Sequence, residues 1–471
     1  HVGNPGPDMS GPGFPTCVQN LSSSKLTYSI NGLSVVHILF VFRHHIHRML
    51  DIKFIRENSD LVKKAAEQKH VTVDIDRLLV LDGERREFQG ELDEVNRQRN
   101  EAAKAKDAER GKALKGELAE IQEKLRPVEV EYLELMQSVP NIPSEDTPVG
   151  KDESENVVIR KFLEPTKFNF EPKSHDVLGK ALGVIDNETA ANVSGARFTY
   201  LKGGLALMQF ALVQLVFETL TNEETLKAII EKAGLSISAK PFVPVVPPVF
   251  IRPEIMQQMG RLEPRDERYY IPSDDLFLIG SAEHTLGPMH MNQTIPEADL
   301  PLRYIGYSTA FRREAGSYGK DTKGIFRVHQ FDKLEMESFS NPDSSIEEQN
   351  LFIAVQEHLV QQLNIPYEVM QICTGDMGKP DSRQVDINMW MPGQDAYRET
   401  HTSDLMTDFQ SRRLNIKTKG ESGKRFVHMN DATAIAIGRT LVAIMENYQQ
   451  ADGTILVPDV LQKWMNISVI K

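Results

Sequence analysis

Arg312, Arg313, Lys320, Lys323 and Arg327 fall within one stretch, FRREAGSYGKDTKGIFRVHQF (residues 311–331), around three glycines. The chain as a whole is acidic, with a formal net charge of −13, so this local density of cations points to an anionic partner. Guanidinium forks match the oxygens of phosphates and carboxylates, and glycines let a backbone turn sharply or approach a ligand closely. In LRYIGYSTAFRRE, read as a strand, Ala310, Arg312 and Glu314 share a face. In FRVHQFDKLEM, Phe326, Val328, Leu334 and Met336 take one side; Arg327, His329, Phe331, Lys333 and Glu335 take the other. A cation, a ring and a carboxylate thus recur at steps of four within at most about 26 Å. A charged face in an apolar body must meet solvent or a ligand. By spacing alone, an ordinary hairpin with a solvated basic loop is as good a reading as a ligand site.

The elements around this hairpin are set by periodicity. Leu78, Leu81, Phe88, Leu92 and Val95 recur at helical steps, and Leu114, Leu118, Ile121, Leu125, Val128, Tyr132 and Leu135 keep a strict alternation of four and three. Each run gives a helix a narrow apolar seam. With the polar stretch NEAAKAKDAERGKA between them, they predict a long antiparallel helical hairpin. Its tip, Arg97 to Lys115, holds seven Lys or Arg against three Asp or Glu, a local excess of +4. That is a solvated face or a phosphate-binding arm. SVPNIPSEDTPVGKDESEN (138–156) is expected to be a linker. The body beyond it mixes helix patterns (204–220, 346–364) with short alternating strands (384–390), and Pro247 and Pro248 confine PFVPVVPPVF to a sheet edge or strand end. The prediction is α+β with an antiparallel sheet.

The totals exclude several classes. Only Cys17 and Cys373 are present, so there is no disulfide framework, and a reducing, cytoplasmic setting is expected. The absence of CxxC and HExxH leaves a structural zinc site without support, and no P-loop or strand-to-helix GxGxxG is present. The apolar run at 32–42 is too short to span a bilayer, so no membrane is expected. Residues 1–48 are rich in Gly and Pro near the start and differ in character from the chain beyond Met49. They are expected to be a disordered or untranslated tail, with a targeting segment as the alternative. The expected domains are the tail (1–48), the helical hairpin (49–150) and the body (151–471).

FRREAGSYGKDTKGIFRVHQFDKLE resembles motif 2 of the class II aminoacyl-tRNA synthetases in its seryl form. Helix 204–220 with the strand ending at Pro247 is similar to motif 1, and AIAIGRTLVAIMENYQ (434–449) to motif 3. MLDIKFIREN, the helical hairpin, GSAEHTL and YRETHT extend the resemblance to the seryl-tRNA synthetase family, from Met49 to about Met465. The resemblance implies an antiparallel sheet flanked by helices, a homodimer built through motif 1, and formation of seryl-adenylate from serine and ATP. The seryl group would then pass to the 3′-terminal adenosine of tRNA(Ser), with tRNA(Sec) as a further acceptor. Carried over by position, Arg312, Arg327 and Arg439 would be the catalytic cations. ATP would be held by Arg312, Glu314, Arg327, Phe331, Glu399 and Arg439, with adenine between Phe331 and Arg439. Serine would meet Ser281, Glu283, Arg312, Glu335 and Thr433, and Glu399 and Thr402 would hold Mg²⁺. Arg97, Arg99, Lys104, Lys106, Arg110 and Lys112 would contact tRNA. A carboxylate is already a nucleophile, so His329 and His401 are expected to pack or position rather than move protons. The intact arm speaks against a ligase that loads a carrier protein, and the charged set against a non-catalytic scaffold. Three positions depart from the family: SAE stands for TAE at 281–283, Thr402 for Ser, and Asp431 for Asn. Asp431 is expected to be a helix N-cap, with a second carboxylate near the amino-acid pocket as the alternative.

Overall fold

The computed structural model describes residues 51–315, 323–421 and 423–471. The tail assigned to residues 1–48 and Lys320 of the basic loop lie outside the described residues. Helix α1 (Ser59–Gln68) precedes the two arms of the hairpin, α2 (Ile75–Lys104) and α3 (Ala108–Ser138). At 30 and 31 residues each arm runs about 45 Å. Both start at an aspartate cap: Asp74 and Asp107 accept hydrogen bonds from the backbone N–H groups of Arg77 and Arg110, satisfying donors that the helix leaves free. Between the arms, Lys106 takes a left-handed φ of 58°. The predicted seam is the contact. Leu92, Val95, Leu114, Ile121 and Leu125 are buried together, with Phe88 and Leu118 packed against them. Near the base, Met136 is buried and Leu135 is only half-buried. Arg77 closes that end by binding Glu131 with two nitrogens, at 2.8 and 2.6 Å.

The expected linker is a packed strap. Val139 and Asn141 are buried, and the Asn141 amide donates to the carbonyls of Pro380 and Met406, both at 2.8 Å. Packing is concentrated in its first half, where the Thr147 hydroxyl also donates to the Ser382 carbonyl at 3.1 Å, while 151–155 are exposed. Lys69, at the end of α1, donates to the carbonyls of Gly378 (2.9 Å) and Asp381. The arm therefore has a fixed seat on the body.

The body is built on an eight-stranded sheet: β1 (Val157–Phe162), β2 (Val243–Val245), β3 (Leu302–Phe311), β4 (Gln330–Ser340), β5 (Tyr367–Gln371), β6 (Arg383–Met391), β7 (Ala396–Thr407) and β8 (His428–Ala436). Its order is β1-β5-β6-β7-β8-β4-β3-β2. All pairs are antiparallel except β2 with β3, and β2, which contains Pro244, sits at the edge as proline requires. Helices α4 (Gly203–Leu220), α5 (Ser345–Gln362) and α6 (Ile437–Asn447) share one core with the sheet, through Leu212, Val216, Phe352, Leu359, Leu441 and Ile444. Among the described residues α4 is long and apolar enough to cross a bilayer, yet Leu205, Met208, Leu212 and Val216 on it are buried in this core. A buried ion pair, Arg303 with Glu348 at 2.9 and 2.7 Å, pins α5 to β3. From α5, the Gln356 amide donates to the carbonyls of Thr402 and Thr433, both at 2.8 Å. These bonds hold β7 and β8 where the pairing of β4 with β8 shifts between Leu334 and Glu335. That irregularity sets Glu335 directly opposite Thr433.

Candidate active site

One cavity opens on the face of β4, β7 and β8. Its walls include Arg312, Glu314, Arg327, Phe331, Glu335, Glu399, Thr402, Thr433 and Arg439, together with Glu283. Every expected site residue of the body is thus on its lining except Ser281. That hydroxyl is buried one layer back and accepts from Lys333 Nζ at 3.1 Å.

The hairpin differs from the expected one. β3 ends at Phe311 and β4 starts at Gln330, so Arg312, Glu314 and Arg327 lie on turns and not on strand faces. Arg312 stays tied across the gap, its N–H donating to His329 O at 3.0 Å, but Glu314 takes a φ of 52°, outside the β region. The turn is what lets Glu314 reach back: its Oε2 lies 3.4 Å from Arg327 Nη1. The strand alternation holds from Phe331 onward, where Phe331, Lys333 and Glu335 face the cavity while Leu334 and Met336 are in the core. His329 packs between the rings of Phe198 and Tyr269. His401 is buried on the Thr400 hydroxyl (2.8 Å), and burial drives its ring down to about 3, so it stays neutral.

The two ends of the cavity have opposite character. At one end stand Arg312, Arg327 and Arg439. Arg312 Nε donates to Gly280 O at 3.0 Å and its guanidinium lies 5.4 Å from the Phe331 ring centre. Arg439 lies over Phe326 at 4.9 Å and donates to the Glu399 carboxylate at 2.8 Å; this pairing holds the Glu399 carboxyl below its usual range. Here Arg312, not Arg439, covers the Phe331 ring, because Glu399 draws Arg439 away. Thr402 is the cross-strand partner of Asp386, a buried acid that sequence reading misses and whose carboxyl burial and Glu399 push well up. The Glu399 carboxylate and the Thr402 hydroxyl both line the cavity, hard oxygen donors of the kind Mg²⁺ takes.

At the other end stand Glu283, Glu335, Thr433 and Asp431. Burial works to raise the Glu283 carboxyl, but Arg261, 3.0 Å away, together with the more distant Lys333 and Arg312, holds the group at about 2. Glu335 is pushed up to about 7 by burial, against the pull of Lys333 at 2.6 Å. Asp431 is not a helix cap. It is a central residue of β8, fully buried, and α6 begins only at Ile437. The motif 3 run, 434–449, begins as the last three residues of β8 and continues as α6. Asp431 Oδ2 accepts from Arg261 at 3.1 Å, so the alternative reading, a further carboxylate at this end, is the correct one. Sequence reading misses Arg261 and Asp404 and gives Lys333 no role. Asp404 had a signal, since an acid on the inward face of a strand marks a site; Arg261 comes from a turn that carries no motif.

On the arm, Arg99, Lys104, Lys106, Arg110 and Lys112 are exposed. Arg97 differs, being held by Glu94 and Glu101, each at 2.7 Å.

A groove of opposed charge on an antiparallel sheet, in a chain that also carries a long helical arm, has known counterparts. Residues 268–448 match the class II core domain of tRNA synthetases (G, H, P, S and T), so fold and site define a class II aminoacyl-tRNA synthetase. Residues 49–143 match the seryl-tRNA synthetase N-terminal domain. Serine--tRNA ligase of Symbiobacterium thermophilum is 38% identical over 431 residues, 88% of this chain and 98% of the relative; that of Pseudothermotoga lettingae is 38% identical over 439 residues, 90% and 100%. The seryl-tRNA synthetase of Pyrococcus horikoshii complexed with ATP superposes with a TM-score of 0.78 at 36% identity, over 90% of this chain and 99% of that one. The cytoplasmic serine-tRNA ligase of Naegleria fowleri in complex with AMP gives 0.75 at 30%, with the same coverage. The chain belongs to the seryl-tRNA synthetase family.

Proposed function

We propose that this chain joins serine to ATP as seryl-adenylate, releasing pyrophosphate, and passes the seryl group to the 3′-terminal adenosine of tRNA(Ser). The observation that carries the reading is the polarity of the cavity, with three arginines at one end and Glu283, Glu335 and Thr433 at the other. Adenylate formation brings two anions together, the serine carboxylate and the α-phosphate of ATP. The carboxylate oxygen bonds to phosphorus as the bond to the pyrophosphate oxygen breaks. Arg312 suits both anions; Arg327 and Arg439 suit the outer phosphates. Mg²⁺ held by Glu399 and Thr402 would supply further charge neutralisation on the phosphates. Adenine would stack on Phe331, with Glu314 as acceptor for its amino group and Arg439 closing the other face. The serine ammonium meets the ionised Glu283 beside Ser281. The serine hydroxyl meets Glu335 and Thr433, and alanine would leave both unpaired.

The arm supplies tRNA contacts through Arg99, Lys104, Lys106, Arg110 and Lys112, and tRNA(Sec) is a further acceptor for the same surface. A homodimer fits the apolar side chains left exposed on α4 and the β2 edge: Leu207 (49%), Phe210 (57%), Val243 (54%) and Val246 (82%). A buried, unpaired Cys373 suits the reducing cytoplasm. The reading is tested by charging: a tRNA(Ser) transcript with radiolabelled serine and ATP should accumulate acid-precipitable label, and a transcript lacking its long variable arm should not. Equal charging of both would remove the arm from the account.

A further inference from the structure

A second charge pattern lies behind the amino-acid end of the cavity. Glu337, Asp431 and Asp404 are direct cross-strand neighbours on β4, β8 and β7, and all three are buried. Like charges directly opposite each other destabilise a sheet, and burial pushes all three carboxyls well up, so the row stays largely protonated beside a cation. Arg261 is that cation. Its guanidinium lies 3.1 Å from Asp431, 3.8 Å from Asp404 and 3.9 Å from Asp381, and its Nε lies 3.0 Å from Glu283. Both oxygens of Glu337, at 0% exposure, have no hydrogen-bond partner. Oxygens of Glu283, Glu335 and Asp431 come within 4.8 Å of one another, a spacing that could suit a metal ion. Arg261 and Lys333 already stand among them, however, at 3.0 and 2.6 Å from Glu283 and Glu335, and a multivalent cation would meet two fixed positive charges there.

We propose that Arg261 is a positioning residue of the amino-acid subsite, which holds the side chains of Glu283 and Asp431 in place at the end of the cavity that takes the substrate ammonium. This rests on the reading of the cavity as a serine-activating site. Arg261 acts through these two side chains, since a guanidinium repels an ammonium directly. Its two-pronged reach, Nε to Glu283 and Nη2 to Asp431, spans both at once. A lysine ammonium is a point charge and cannot span them in this way. The outward parts of the cavity, where ATP would lie, do not depend on it.

The test is serine-dependent ATP–pyrophosphate exchange with the KM values of serine and ATP measured separately. Arg261→Gln should raise the serine KM by about ten- to hundredfold, the worth of a charge-assisted hydrogen bond, with the ATP KM unchanged. Arg261→Lys keeps the charge and guards against a protein that does not fold; its serine KM should still rise. An unchanged serine KM in folded Arg261→Lys or Arg261→Gln overturns the proposal, as does an equal rise for ATP. If the wild-type chain shows no exchange with serine, the reading of the site fails instead, and the two failures are thereby told apart.

Discussion

Removing cations from the arm tip should separate two kinds of arginine that look alike in the sequence. Among the described residues, Arg99, Lys104, Lys106, Arg110 and Lys112 have no carboxylate within ion-pair distance, whereas Arg97 lies 2.7 Å from both Glu94 and Glu101. If these five cations each neutralise a phosphate, log affinity for tRNA falls with log salt at a slope of about −4.5. A rise from 50 to 200 mM salt then weakens binding by about 500-fold. Arg110→Ala with Lys112→Ala leaves three contacts, a slope of about −2.7 and a loss of only about 40-fold over the same range. Arg97→Ala should leave the slope alone. The assay is fluorescence anisotropy of labelled tRNA titrated at four salt concentrations. An affinity flat across that range, or a slope that Arg97→Ala lowers as much as the double variant does, would refute the reasoning.

The body yields three further expected outcomes. Glu335 titrates near 7 because burial disfavours its charge, so it is neutral below that pH and ionised above it. A cationic substrate favours the ionised form. The serine KM should therefore fall by about tenfold between pH 6 and pH 8, and Glu335→Gln should flatten the profile; a flat wild-type profile contradicts it. The buried pair Arg303–Glu348 should behave asymmetrically in thermal melts. Glu348→Gln leaves a guanidinium uncompensated and should cost about 3–5 kcal/mol, whereas Arg303→Met with Glu348→Leu should cost less; equal losses would show the pair is not the source. Phe331→Ala should raise the ATP KM, by about 1–3 kcal/mol of lost base stacking, with the serine KM unmoved; an equal rise for serine would mean general damage to the cavity.

Much of the fold was legible because local patterns and tertiary packing agree. The 4–3 seam of Leu114, Leu118, Ile121 and Leu125 both predicts the arm and makes its contact, and Pro244 with Pro247 and Pro248 places β2 at an edge. The site was legible through motif residues, which the cavity gathers from turns and strands far apart in sequence. The part that was not legible depends on three-dimensional register. Nothing in the spacing says that Arg312 and Glu314 leave the strand, or that a shift opposite Leu334 sets Glu335 against Thr433. Asp431 looked like a cap because acids commonly precede helices, yet β8 runs five residues beyond it before α6 begins. Arg261 carries no motif, and its role exists only because four acids from separate segments converge on it. Composition likewise marked 138–156 as a linker, since polar residues that bond a neighbouring backbone look the same in sequence as residues that face water.

The measurement that bears most directly on the account is ATP–pyrophosphate exchange by residues 49–471 with serine, threonine, alanine and glycine in parallel. Serine alone should support exchange. Alanine should fail because Glu335 and Thr433 would lose their hydroxyl partner, and threonine because its extra methyl must find room beside the buried Glu335 and Thr433. A folded protein that exchanges with none of the four, or with alanine as well as with serine, would contradict the assignment of this cavity.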